Sequence, residues 1–116
     1  MKLIAFLLCF LMSSTAAATT SLFFTGDGYS IYMEIGHDEK PGVASLSVRT
    51  PDTAQRIVLR RNFEVLEFDV PRRRLLIRFV KQEPGQPDSF TLDVEGERAK
   101  LTTGGKEIIS DFSWFM

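Results

Sequence analysis

The stretch Asn62 to Lys81, NFEVLEFDVPRRRLLIRFVK, decides the fold, because it has the pattern of two antiparallel strands joined by a tight turn. Pro71 lies between the two halves and restricts its own backbone φ to a value that suits the second position of a β-turn. With a two-residue loop beginning at Pro71, Phe68 lies opposite Leu75. The stretch therefore predicts a β-hairpin with a defined register.

The two faces of this hairpin differ in character. The same register places Leu66 opposite Ile77 on an apolar face. On the other face Asp69 lies opposite Arg74, and Glu67 is diagonal to Arg74. Apolar pairs on one side and opposite charges on the other are typical of a sheet that is buried on one face only. We expect Leu66 and Ile77 to point into the core.

The segment before the hairpin, Gln55 to Arg61, also alternates and predicts a strand. A tight turn at Arg61-Asn62 would make this strand an antiparallel neighbour of the hairpin, since Asn tolerates a left-handed backbone better than most residues. This register places Ile57 beside Leu66. A single long bent strand from Gln55 to Val70 is the alternative.

Glu64 does not fit the predicted pattern, because its carboxylate would point inward. Burying an unpaired charge is costly. Either Glu64 lies at the open end of the sheet, or a β-bulge near Val65 shifts the phase of the strand. If Glu64 is buried, it becomes a candidate functional carboxylate.

Six further segments have the composition or alternation of short strands, and turn-forming residues such as Gly26-Asp27-Gly28 and Gly104-Gly105 separate several of them. These segments are residues 21–25, 29–35, 43–49, 89–95, 98–103 and 106–116. They recur about every 11 residues, without a helical period after Ala18. We therefore predict an all-β fold, a single-domain antiparallel meander of eight or nine short strands that forms a β-sandwich or a small closed barrel.

The first 18 residues have the pattern of a signal peptide. Lys2 provides a basic start, Leu3 to Met12 is an apolar run, and Ala16-Ala17-Ala18 fits a cleavage site between small residues. The single cysteine, Cys9, lies inside this segment, so the mature domain of residues 19–116 has no disulfide. Small secreted domains of eukaryotes are usually disulfide-rich. The combination favours a bacterial protein in the periplasm or secreted from the cell.

Composition excludes several classes of function. Removing Lys2 leaves 13 of the 14 basic residues against 15 acidic ones, a net charge of −2 that does not favour nucleic acid as a partner. The apolar run is shorter than the ~20 residues of a spanning helix, so we expect no membrane span. No stretch has a recognisable catalytic, metal-binding or nucleotide-binding pattern. We therefore expect a protein that is not an enzyme and has no cofactor or metal.

Arginines at the hairpin tip are the first candidates for binding a partner. Residues 49–81 hold nine basic and four acidic residues, a net charge of +5. With Arg74 paired to Asp69, Arg72 and Arg73 have no obvious partner and project from the turn. Arg is enriched at the centres of protein interfaces. The alternative is that both are solvated turn residues.

Outward aromatic residues are the second candidates. Alternation within their strands places Phe23, Tyr32 and Phe115 on the side away from the core. We predict Arg72, Arg73, Tyr32 and Phe115 as partner-binding residues.

These residues define the expected function. We expect a small secreted or periplasmic binding protein that docks on another protein, for instance as an inhibitor or an immunity protein. A structural subunit of an envelope assembly is one alternative. An enzyme acting on a cell-wall polymer is another, and a buried Glu64 would be its main support. The oligomeric state is left open.

Overall fold

The computed structural model describes residues 21–37, 41–53 and 55–115 of the chain. The predicted signal peptide and its cleavage site lie outside these residues. The described residues form nine strands: β1 (Ser21–Gly26), β2 (Tyr29–His37), β3 (Pro41–Arg49), β4 (Ile57–Leu59), β5 (Phe63–Asp69), β6 (Arg74–Phe79), β7 (Phe90–Glu95), β8 (Arg98–Thr103) and β9 (Lys106–Phe115). Within the same ranges there is no helix long and apolar enough to cross a membrane.

All nine strands belong to one antiparallel sheet that curls into a nearly closed barrel. The order of strands around the barrel is β4-β3-β2-β1-β9-β8-β7-β6-β5. Every hydrogen-bonded neighbour is also a neighbour in sequence, except for the pair β1 and β9. The prediction of an all-β meander is confirmed, and of the two predicted architectures the chain forms the barrel.

Pairing between β1 and β9 joins the two ends of the folded domain. Leu22 lies opposite Trp114, and Phe24 lies opposite Phe112. Both β1 side chains are fully buried. Because the ends of the domain meet inside the sheet, the remaining gap falls in the middle of the chain, between β4 and β5.

The strands that flank this gap run in the same direction, because eight antiparallel steps separate β4 from β5 around the barrel. A tight turn cannot join two parallel strands, so the predicted turn at Arg61-Asn62 is wrong. Ile57 lies opposite Val48 of β3 and not beside Leu66. The alternative of one long bent strand from Gln55 to Val70 is closer to the observed structure. The strand is interrupted near Asn62, whose φ of 70° is left-handed.

The β5–β6 hairpin has the predicted register near its turn. Phe68 lies opposite Leu75 and Asp69 opposite Arg74. The N–H of Arg73 donates to the carbonyl of Val70 at 3.0 Å and closes the turn.

Farther from the turn, a β-bulge between Val65 and Glu67 shifts the register. This is the bulge near Val65 that the sequence pattern offers as one explanation for Glu64. Val65 therefore lies opposite Ile77. Leu66 is 49% exposed, so its predicted place in the core is wrong. The bulge keeps the Glu64 carboxylate out of the interior, but it also leaves the Leu66 side chain half exposed.

Apolar side chains fill the barrel interior. The buried hydrophobic residues are Leu22, Phe24, Ile31, Met33, Ile35, Leu46, Val48, Leu59, Leu75, Ile77, Phe79, Phe90, Leu92, Val94, Ala99, Leu101, Ile108 and Phe112. In the part of the chain that the structure describes, every buried side-chain nitrogen or oxygen has a hydrogen-bond partner. The interior is thus a packed core over most of its length.

Alanine substitution at two apolar positions of the hairpin tests the bulge. Ile77 is fully buried, so Ile77→Ala should lower the free energy of unfolding by ~2–5 kcal/mol. Leu66→Ala removes a half-exposed side chain and should cost less than about 1 kcal/mol. Urea denaturation of both variants measures the difference. Equal losses of unfolding free energy at the two positions would contradict the bulge and support a register in which Leu66 is buried.

Candidate functional site

Two surfaces on the outside of the barrel differ in composition. The first, which we name the ion ladder, runs across β5 to β9 and consists of charged pairs on neighbouring strands. Its pairs are Glu64–Arg78 at 3.2 Å, Glu67–Arg74 at 3.1 Å, Arg74–Asp93 at 3.2 Å and Arg98–Asp111 at 3.0 Å. Two of these acidic residues, Glu64 and Glu67, belong to the positive segment 49–81 itself, and Asp93 of the following strand supplies a further carboxylate to Arg74.

Arg74 is the centre of the ion ladder. It lies opposite Asp69 in the backbone register, but its guanidinium hydrogen-bonds to Glu67, to Asp93 and to the carbonyl of Val94. The hydrogen bond to Glu67 raises the pKa of the Arg74 guanidinium above its ordinary value, while burial acts in the opposite direction. Arg74 therefore stays charged and holds β5, β6 and β7 together.

Glu64 belongs to the ion ladder. It lies opposite Arg78 on the outer surface, and the guanidinium of Arg78 donates to both of its carboxylate oxygens at 3.2 Å. Its side chain is exposed. The hypothesis of a buried functional carboxylate at Glu64 is therefore wrong, and the enzyme alternative loses its main support.

The second surface, which we name the aromatic face, consists of Phe23, Tyr32 and Phe115. These residues point outward from β1, β2 and β9, which are adjacent in the sheet. The rings of Phe23 and Tyr32 lie directly opposite each other with centroids 6.4 Å apart. Phe115 is 60% exposed and lies diagonal to Phe23 across the β1–β9 pair. The fold therefore brings the predicted residues Tyr32 and Phe115 onto one surface.

Small hydroxyl side chains surround the aromatic face. Ser113 lies opposite Phe23, Ser47 lies opposite Tyr32, and Ser21 lies opposite Phe115. The nearby carboxylate of Glu34 accepts a hydrogen bond from the hydroxyl of Ser45 at 3.3 Å. In contrast to the ion ladder, the centre of this surface is uncharged.

The predicted arginines at the tip both have contacts within the chain. The N–H of Arg72 donates to Asp69 Oδ1 at 3.2 Å, and its Nε lies 3.8 Å from Asp69 Oδ2. The guanidinium of Arg73 lies over the Trp114 ring, 5.4 Å from its centroid. The expectation that both arginines lack partners is therefore wrong, because Arg74 binds Glu67 and leaves Asp69 free for Arg72.

Trp114 holds the hairpin tip against the end of the barrel. Its Nε1–H donates to the carbonyl of Gly96 at 2.6 Å, and the N–H of Gly96 donates to the carbonyl of Arg73 at 2.8 Å. The ring also packs edge-on against Phe112. Trp114 faces inward and Phe115 outward on the same strand. The Arg73 contact therefore places the tip beside the end of β9 that carries the aromatic face.

The described residues contain no group of three or more His, Cys, Asp or Glu side chains that could hold a metal ion. Comparisons with family models, with curated proteins and with solved structures found no match to this chain. The aromatic face and the tip beside it are therefore interpreted from their own geometry.

Two arginine variants test the contact between the tip and Trp114. Arg73→Ala removes a cation–π contact at an exposed site and should lower the free energy of unfolding by about 0.5–1 kcal/mol. It should also shift the fluorescence emission of Trp114, the chain's single tryptophan. Arg72→Ala is the matched control and should leave the emission unchanged. Identical emission in the two variants would contradict the Arg73–Trp114 contact.

Proposed function

We propose that this chain is a small binding protein of the bacterial periplasm or exterior that docks on another protein through the aromatic face. One observation carries the proposal: Phe23, Tyr32 and Phe115 point outward on three adjacent strands, with a serine opposite each ring or beside it. The centres of protein interfaces are depleted in charge and enriched in aromatic side chains. The export of the chain rests on the pattern of its first 18 residues.

Rigidity of the supporting strands favours binding. Each of β1, β2 and β9 has a hydrogen-bonded neighbour on both sides, so none of them is an edge strand. The interior beneath them is closed by buried side chains such as Leu22, Met33 and Phe112. A surface that is already ordered loses little conformational entropy when a partner binds, and more of the contact energy then contributes to affinity.

The composition of the face specifies the chemistry of the partner. Uncharged aromatic rings among hydroxyl groups fit an apolar protein surface that also offers hydrogen-bond acceptors and donors. Arg72 and Arg73 would lie at the rim of such an interface, where charges contribute more to the rate of association than to affinity. We therefore expect affinity to depend strongly on Tyr32 and Phe115 and weakly on the two arginines.

Retention of a partner by single-site variants tests this function. The mature chain, immobilised and exposed to a periplasmic extract, should retain a stoichiometric protein partner that mass spectrometry can identify. Phe115→Ala and Tyr32→Ala should each weaken binding of the purified partner by more than ~2 kcal/mol, because truncating a central aromatic side chain has that effect at interfaces.

Ile109→Ala is the matched control for Phe115→Ala, because Ile109 lies on the same strand and is also 60% exposed. Its pairing places it opposite Lys100 of β8, away from the aromatic face. Affinity should be unchanged in this variant. If Ile109→Ala weakens binding as much as Phe115→Ala, or if neither Tyr32 nor Phe115 affects affinity, the aromatic face is not the docking surface.

A further inference from the structure

A cavity of about 290 Å³ lies at one end of the barrel. We name it the mouth cavity. Its floor is apolar and consists of inward side chains of five strands: Ile31, Val48, Ile57, Phe90 and Leu101. Thr50, Asp52 and Thr53, which follow β3, and residues of the connection 80–89 between β6 and β7 also line it. The packed core thus stops short of this end and leaves room for a guest.

Hydrogen bonds hold the connection of residues 80–89 in place. The side-chain oxygen of Gln86 accepts from the N–H groups of Gln82 and Glu83 at 2.9 and 3.1 Å. The N–H of Lys81 donates to the hydroxyl of Ser89 at 2.9 Å. Pro87 is buried beneath this segment and contributes to the cavity wall. The cavity is therefore a preformed pocket, as most small-molecule sites are.

The size of the mouth cavity limits its guest to a small molecule. An apolar protein cavity of about 150 Å³ binds benzene. Pockets for drug-sized ligands begin at about 300 Å³. The mouth cavity falls between these values, close to the upper one. A molecule with one or two fused rings, or an aliphatic chain of similar volume, fits this space.

The rim charges and the apolar floor together disfavour charged guests. Lys81 Nζ lies 3.9 Å from a carboxylate oxygen of Asp88, and Asp52 supplies a second carboxylate. An anion would meet two carboxylates against one ammonium that already has a partner. For a cation the rim charges are not repulsive, because the two carboxylates outnumber the one ammonium. Either ion would also leave water for the apolar floor, which is unfavourable without a counter-charge there.

Hydroxyl groups at the rim provide the polar contacts that remain. Tyr29, Thr50, Thr53 and Thr103 contribute to the lining. Thr50 and Thr53 hydrogen-bond to each other at 3.1 Å, and Thr103 donates to the carbonyl of Ser89. Most of these hydroxyls therefore already have one hydrogen-bond partner. A guest with a single hydrogen-bonding group is enough to pair with the rest.

We propose that the mouth cavity binds a small uncharged apolar molecule of one or two rings that carries one hydroxyl or carbonyl group. This site is distinct from the aromatic face. Tyr29 at the mouth begins β2, opposite Gly26 at the end of β1, whereas Phe115 lies opposite Ser21 at the other end of β1. Ligand binding and protein docking would therefore use opposite ends of the barrel.

Titration of the mature chain with 2-naphthol, followed by amide chemical shifts in NMR spectra, tests the proposal. We expect saturable shifts at lining positions such as Ile31, Val48 and Leu101. The anion 2-naphthalenesulfonate, which has the same ring system, should bind at least tenfold more weakly. Absence of saturable shifts up to the solubility limit of 2-naphthol, or equal affinity for the anion, would overturn the proposal.

Two phenylalanine variants on β4 locate the site. Ile57→Phe fills the floor and should weaken 2-naphthol binding at least tenfold. Val58→Phe adds the same group one residue away on the outer surface and should leave binding unchanged, because Val58 is exposed and does not line the cavity. Equal binding by the two folded variants would overturn the assignment to the mouth cavity. If Ile57→Phe does not fold, the comparison of 2-naphthol with 2-naphthalenesulfonate on the native chain, together with the positions of the shifted amides, still tests the proposal.

Discussion

The antiparallel pairing of β1 with β9 is the contact on which the rest of the barrel depends. It brings residues near the two ends of the domain together, with Leu22 opposite Trp114 and Phe24 opposite Phe112. Closing so long a loop costs entropy that grows slowly with loop length, and the burial of Leu22, Phe24 and Phe112, with the partial burial of Trp114, offsets it. Once this pair forms, β1 and β9 are interior strands of the sheet, and the only open seam of the described sheet is the one between β4 and β5.

Both proposed binding sites follow from this closure. The aromatic face exists because β9 places Phe115 beside the Phe23–Tyr32 pair of β1 and β2. The mouth cavity exists because strands from both halves of the chain contribute to one interior, with Val48 from the first half and Leu101 from the second. The ion ladder is different, because it links only strands of the second half. It stabilises one wall of the barrel, whereas the aromatic face on β1, β2 and β9 has an uncharged centre.

Local patterns in the sequence predict the strands, the hairpin register near Pro71 and the outward positions of Tyr32 and Phe115. These features depend on the two-residue period of a strand and on turn chemistry, which act over a few residues. The same local logic fails at Arg61-Asn62, because it assumes that consecutive strands pair, whereas the barrel makes β4 and β5 parallel. It also misses the contact of Arg73 with Trp114 and the mouth cavity. Both depend on residues far apart in the chain, which no local pattern connects.

Native-state hydrogen exchange tests the closure most directly. The slowest amides of β1 and of the facing part of β9 should exchange with the same free energy as the slowest amides of β6, β7 and β8, because all of them would open only when the whole barrel unfolds. Exchange from β1 at a much lower free energy than from β7 would mean that the terminal strands separate while the remaining sheet stays folded. That result would contradict a barrel held together by the β1–β9 pair.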